Sequence, residues 1–294
     1  MKYVELIDAV NDILTGYDTQ LTLRQVYYRL VARGLIPNTR SNYTQLSSQL
    51  VKARENGEVD DSRFTDRSRQ IMDVSFDSPE SFIKACRLTL EQRYVRRFWD
   101  SQPVYCEVWV EKDALSQVLA EAVYPFNTIV APARGYGSYT YLQDAAQRIR
   151  QRCDNGKPAV ILHFTDHDPS GIDMARDLKD RLDKYCGWND FKRAKIAHTE
   201  YERPKIEVRR IALTYHQVRQ YDLIPNPVKG ADCRSKGYIS QYGEQCWELD
   251  AIEPNELIKL CQLAVDNLIE DKGAWLALKE QDISEREVLR KQLS

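Results

Sequence analysis

Three apolar runs in the second half of the chain each end in a polar turn and are followed by a helical pattern, and this alternation constrains the fold more than any other feature. Residues 104–110 close on Glu111-Lys112-Asp113 and a helix from Ala114. Residues 128–131 lead into Arg134-Gly135-Tyr136-Gly137-Ser138 and another helix. Residues 159–165 lead into Asp166-His167-Asp168-Pro169-Ser170-Gly171 and a helix through Leu182, and a fourth run covers 206–213. Short strands alternating with helices predict an α/β unit whose mainly parallel sheet is flanked by helices on both faces.

In such sheets ligands gather beyond the carboxyl ends of the strands. Glu111 ends the first strand, and Asp166 and Asp168 follow the third. Three carboxylates at one edge make a hard oxygen donor set suited to Mg²⁺, or Mn²⁺ in its place, and not to Zn²⁺. The competing reading is that Asp166 and Asp168 cap the helix after Ser170. The Arg134-Gly135-Tyr136-Gly137 loop serves a turn or cradles a phosphate at the helix N-terminus. The polar loop 226–234 and the segment 247–252 carry no chemical signal in their residues alone. His163 and His167 stand four apart, but His163 ends a run that reads as a strand, so the spacing does not place both on one helical face, and the seven scattered cysteines form no C-x-x-C pair. Zinc and a disulfide scaffold are therefore not expected.

The first hundred residues read as helices. One spans 3–15; a second starts at Thr22, whose pairing with Gln25 makes a capping box, and carries the stripe Leu23, Val26, Tyr27, Leu30, Val31. Gly34 ends it, and a turn through Pro37 leads to a third helix from Ser41-Asn42 with Tyr43, Leu46, Leu50 and Ala53 on its apolar side. The pair reads as a helix-turn-helix. Tyr27 lies in the stripe, whereas Tyr28 is turned about 100° from it, toward Arg24 at i−4, and is expected to be a partly exposed phenol. Residues 59–69 have the character of a β-wing, and Ser78-Pro79-Glu80 starts a connector helix running to about Trp99.

A chain of 294 residues suggests two domains. The expected division is 1–70, a connector at 71–102, and 103–294 with a C-terminal helical extension. The sequence shows no signal-peptide pattern and no apolar run of membrane-spanning length, so the expected location is the cytoplasm, without membrane contact. Net charge is only −2, yet residues 19–54 hold Arg24, Arg29, Arg33, Arg40, Lys52 and Arg54 and no acid. That run forms a phosphate-facing surface or a solvated charged face.

Glu111-Lys112 after a strand and TDHDPSG at 165–171 before a helix resemble the Toprim domain of topoisomerases, primases and nucleases. With LRQVYYRL at 23–30 and WELDAI at 247–252, nearly the whole chain resembles the topoisomerase VI A subunit and the related meiotic double-strand-break transesterase. It is most similar to short stand-alone relatives of bacteria, phages and mobile elements. The resemblance implies a winged helix whose tyrosine attacks a DNA phosphodiester, leaving a 5′-phosphotyrosyl link, and a Toprim domain whose acids hold Mg²⁺. By motif position the nucleophile is Tyr28, assisted by Arg24, and the metal ligands are Glu111, Asp166 and Asp168. Arg29, Arg33, Arg40, Lys52, Arg54, Lys112 and Arg134 are the expected contacts to double-stranded DNA, with the helix from Asn42 to Arg54 in the major groove. The resemblance also implies a homodimer in which each tyrosine serves the partner's metal site, and association with the nucleoid. Gln25 departs from the pattern, which has an acid after the arginine. The ATP-binding signature of the B subunit is absent, so an ATPase partner would be encoded elsewhere. Two other readings stay open: a Toprim nuclease that hydrolyses DNA with water, and a non-catalytic DNA-binding subunit.

Overall fold

The structure, a computed structural model, describes residues 2–64, 76–153, 156–197, 205–228 and 234–293. Three helices form the first module: α1 (Tyr3–Thr15), α2 (Leu23–Ala32) and α3 (Arg40–Glu55). The capping box forms as read, with Thr22 accepting from the Gln25 amide and the Gln25 side chain accepting from the Thr22 amide. Gly34 sits at φ +68°, which lets the chain leave α2 in a left-handed turn closed by the Leu35 amide on the Leu30 carbonyl. Val10, Ile13, Val26, Leu30, Leu46, Leu50 and Ala53 make the core between the helices.

The expected β-wing is not found where it can be seen. Asp61–Arg63 is a short 3-10 turn, and Phe64 makes a single parallel bridge to Leu21. The remainder of that reading, 65–69, lies outside the described residues. The connector helix is shorter than expected: α4 (Pro79–Arg93) ends before Tyr94. The Arg96 amide is claimed by Asp282 at 2.6 Å and its guanidinium by Glu285 at 2.7 Å, so the helical ladder cannot continue. Phe98 and Trp99 then bury against Trp275 and belong to the second core.

That core surrounds a four-stranded, wholly parallel sheet in the order β2-β1-β3-β4. Its strands are β1 (Tyr105–Val110), β2 (Ile129–Pro132), β3 (Ala159–Phe164) and β4 (Ile206–Ala212), joined by α5 (Asp113–Val123), α6 (Tyr139–Arg152) and α7 (Pro169–Ala197). The inner strands β1 and β3 are buried along their whole length, which is why they read as unbroken apolar runs. Parallel crossovers are right-handed and the chain reverses direction after β2, so α5 and α6 cover opposite faces. Beyond β4 the chain forms α8 (Tyr215–Gln220), a small antiparallel pair of β5 (Asn226–Pro227) with β6 (Gln245–Cys246) around α9 (Ser235–Tyr242), then α10 (Pro254–Asp266) and α11 (Lys272–Leu293). Helix α10 packs on α5, and α11 on α4. No helix among the described residues is long and apolar enough to cross a membrane.

The two modules meet along a seam. Ala251 completes the first core from the far end of the chain, and its carbonyl accepts from the Arg29 guanidinium. Asn38 donates to the Asn226 side chain at 3.1 Å, and Arg24 pairs with Glu248 at 2.5 Å.

Candidate functional site

Sheet register decides which acids meet. Val110 lies opposite Phe164, so Glu111 and the loop from Thr165 leave the same edge side by side. The Asp166 amide donates to Glu111 Oε2 at 3.2 Å. Connections diverge between β1 and β3, so a crevice opens at this edge by topology alone. Gly171 is required there: a Cβ on it would stand 2.2 Å from the Asp166 carbonyl oxygen, so only glycine lets α7 start this close to the acid loop.

The acids are crowded. Burial, then the charge of Asp166, pushes the Glu111 carboxyl up to about 7. Asp166 is also raised by burial, with Lys112 pulling the other way. Asp168 takes the capping role, its Oδ1 accepting from the Gly171 amide at 2.6 Å. The three expected ligands share one edge without converging on one point, because each has a separate local partner. Among the described residues no group of three His, Cys, Asp or Glu side chains is arranged to hold a metal ion. The donor chemistry nonetheless fits Mg²⁺. Two neighbouring buried carboxyls resist ionising together, and Mg²⁺ is commonly held by one or two carboxylates with phosphate oxygens and water completing its shell.

Lys112 corrects one expectation. It is not an unpaired surface base: its ammonium contacts Asp166 at 2.9 Å, Glu248 at 3.1 Å and Asp250 at 2.7 Å. Those three acceptors match its three donors and hold its pKa well above the ordinary lysine value despite burial. Glu248 and Asp250 lie on a short strap that also donates the Leu249 amide to Asp166 Oδ1 at 2.7 Å. Sequence reasoning missed both acids, since Glu-Leu-Asp, running from just past a two-residue strand into a 3-10 turn, has no period. Only the resemblance at 247–252 pointed there. A backbone bridge, His167 with Trp247 at 2.8 and 3.0 Å, joins strap and acid loop. His167 is buried among Tyr215, Tyr238, Tyr242 and Trp247, and burial pushes it down to about 4. His163 is likewise buried and lowered to about 4, so both are neutral packing residues at pH 7.

Tyr28 is the second correction. It is 3% exposed, not a partly open phenol. The helix does turn it out of its own stripe, but the second module lies on that side, and Asn226 donates to its hydroxyl at 3.0 Å. Burial, then Glu248, pushes the phenol up to about 12, while Asn226, Arg24 and Lys112 pull in the opposite direction and are outweighed. Tyr27 is core as expected, its hydroxyl donating to the Thr39 carbonyl at 3.0 Å. A cleft of about 920 Å³ opens at the seam, lined by Arg24, Tyr28, Arg40, Asp166, Asp168 and Glu248 among others. The expected nucleophile and two of the expected ligands thus share one cleft within one chain.

Of the remaining bases, Arg33, Arg40, Lys52 and Arg54 are exposed on the first module, with Arg54 over the Phe64 ring at 5.0 Å. Arg134 is exposed at the acid edge and pairs with Asp113 at 2.7 Å. Arg29 is the third correction, being turned into the seam. Compared with protein-family models the chain matches none, and comparison with curated proteins gives no match.

Proposed function

We propose that this chain cleaves DNA by transesterification in the manner of a topoisomerase VI A subunit, with a winged-helix-type first module presenting Tyr28 to a Toprim-type acid edge. The observation that carries the reading is the shared cleft, where the Tyr28 ring lies on the same walls as Asp166 and Asp168. In the reaction Tyr28 Oη bonds to phosphorus as the bond from phosphorus to the 3′ oxygen breaks, and the phenolic proton ends on that oxygen. Asn226 orients the phenol and, with Arg24 and Lys112, favours its ionised form. Of the expected ligands, the neighbouring Glu111 and Asp166 would hold Mg²⁺, which would supply positive charge at the scissile phosphate. The exposed bases Arg33, Arg40, Lys52 and Arg54 carry the duplex by its phosphates.

The test is incubation with supercoiled plasmid and Mg²⁺ or Mn²⁺, followed by denaturation with and without proteinase. Cut DNA that enters a gel only after proteinase, and its loss in Tyr28→Phe, is the expected result. One feature favours a second reading, metal-dependent hydrolysis by water: burial and Glu248 hold the Tyr28 phenol up at about 12, further from ionisation at pH 7 than free tyrosine. Undiminished cutting by Tyr28→Phe with free ends would establish that reading instead.

The resemblance implies a homodimer acting in trans, while the cleft supports action in cis. Exposed Phe82, Ile83 and Leu88 of α4 and Leu276, Ile283 and Val288 of α11 offer an apolar surface for such pairing. A mixture of Tyr28→Phe and Asp166→Ala protomers that regains cleavage establishes trans action. A mixture that stays inactive, from two folded proteins, establishes cis.

A further inference from the structure

We propose that Arg24 and Lys112 form a subsite for a nucleic-acid phosphodiester which the Glu248 carboxylate occupies in the free protein, so that Glu248 is a built-in competitor of the substrate backbone. The inference rests on the nucleic-acid reading above and adds a component to it. Glu248 spans the seam with one oxygen to each module, Oε1 to Arg24 Nη2 at 2.5 Å and Oε2 to Lys112 Nζ at 3.1 Å. A phosphodiester presents two anionic oxygens with a similar bite and would satisfy the same two donors.

Position separates Glu248 from its neighbour. Its side chain is 21% exposed and lines the cleft, whereas Asp250 is 2% exposed. Glu248 is the carboxylate that an incoming anion can reach, and Asp250 is the anchor. When Glu248 swings away, Lys112 keeps Asp166 and Asp250, and Arg24 keeps Asp250 at 3.9 Å, so the cations stay in place for the phosphate.

Fluorescence anisotropy of a labelled oligonucleotide, single-stranded and duplex, in EDTA at several salt concentrations tests the exchange apart from any metal. Glu248→Gln is expected to bind about tenfold more tightly than wild type at low salt, with a steeper salt dependence by about one counterion. The double variant Arg24→Ala/Glu248→Gln is expected to lose that gain, and Glu280→Gln, which makes the same change of net charge at an exposed position outside the cleft, is expected to show none, which separates a freed subsite from a general change of charge. Melting curves establish that each variant is folded. Wild-type binding with no gain in Glu248→Gln, or a gain that persists without Arg24, overturns this inference and leaves the nucleic-acid reading standing. Failure of wild type and Glu248→Gln alike to bind at low salt overturns both. Should Glu248→Gln fail to fold, Glu248→Asp, whose shorter carboxylate cannot span both cations, is expected to show a smaller gain, and none would count against the exchange.

Discussion

Glu107 lies in β1 and Glu111 one residue past its end, and their surroundings are opposites. Glu107 is fully buried and accepts from Tyr105, Trp109 and both ends of the Arg148 fork at 2.7 to 2.9 Å. Glu111 accepts one backbone amide at 3.2 Å and faces further acids. A buried carboxylate whose oxygens are all engaged is scaffolding, since nothing can be added to it. A buried carboxyl short of donors is one that a cation would stabilise, and such groups cluster where chemistry is done. The middle of β1 is thus built for packing and its end for a ligand.

The largest expected effect is at the satisfied end. Arg148→Met leaves Glu107 buried without its counter-charge and should cost about 3–5 kcal/mol in urea unfolding. The double variant with Glu107→Gln should recover much of this. A loss under about 1 kcal/mol for the single variant would break the comparison.

At the ligand end, Gly171→Ala drives a methyl group into the Asp166 carbonyl oxygen and should cost about 2 kcal/mol while reducing cleavage far more than stability. Stability and activity falling in step would argue that the edge is only structural.

The third effect depends on pH. The Glu111 carboxyl in the folded chain, at about 7, lies above its ordinary value of 4.5, so the fold holds this proton more tightly than the unfolded chain does. The resulting stabilisation is complete below about 4.5 and is lost as pH rises through 7. In Mg²⁺-free buffer, stability should therefore decline between pH 5 and 8 by on the order of 2 kcal/mol from this group. Glu111→Gln should flatten the decline, and an unchanged slope would remove the crowding argument.

The smallest effects are at the paired tyrosines. Tyr27→Phe and Tyr28→Phe each lose one hydroxyl hydrogen bond and should each cost about 1 kcal/mol. Melting will not distinguish them; cleavage should, with Tyr27→Phe active and Tyr28→Phe inactive. Equal activities would take Tyr28 out of the chemistry.

The strands were legible because β1 and β3 are buried on both faces and leave unbroken apolar runs, and their ends placed Glu111 and Asp166 correctly. Tyr28 was legible only by half. A helical wheel reports that the ring leaves its own stripe, but not that Asn226, 198 positions later, covers it. Lys112 was misread for the same reason, since two of its three partners come from a strap 136 and 138 residues away. Arg96 looked like part of a helix until Asp282 claimed its amide. Local pattern encodes local structure, and the misreadings of Tyr28, Lys112 and Arg96 fell where a distant segment supplied the partner.

Ala251 has a consequence in time. A ribosome extends the chain at about 5–20 residues per second, so roughly 10 to 40 s separate the emergence of the three N-terminal helices from that of the residue that closes their core. For most of that interval the nascent chain presents the Tyr28 ring and the Arg24 and Arg29 guanidiniums without their later partners Asn226, Glu248 and the Ala251 carbonyl. The first module is thus made early and finished late.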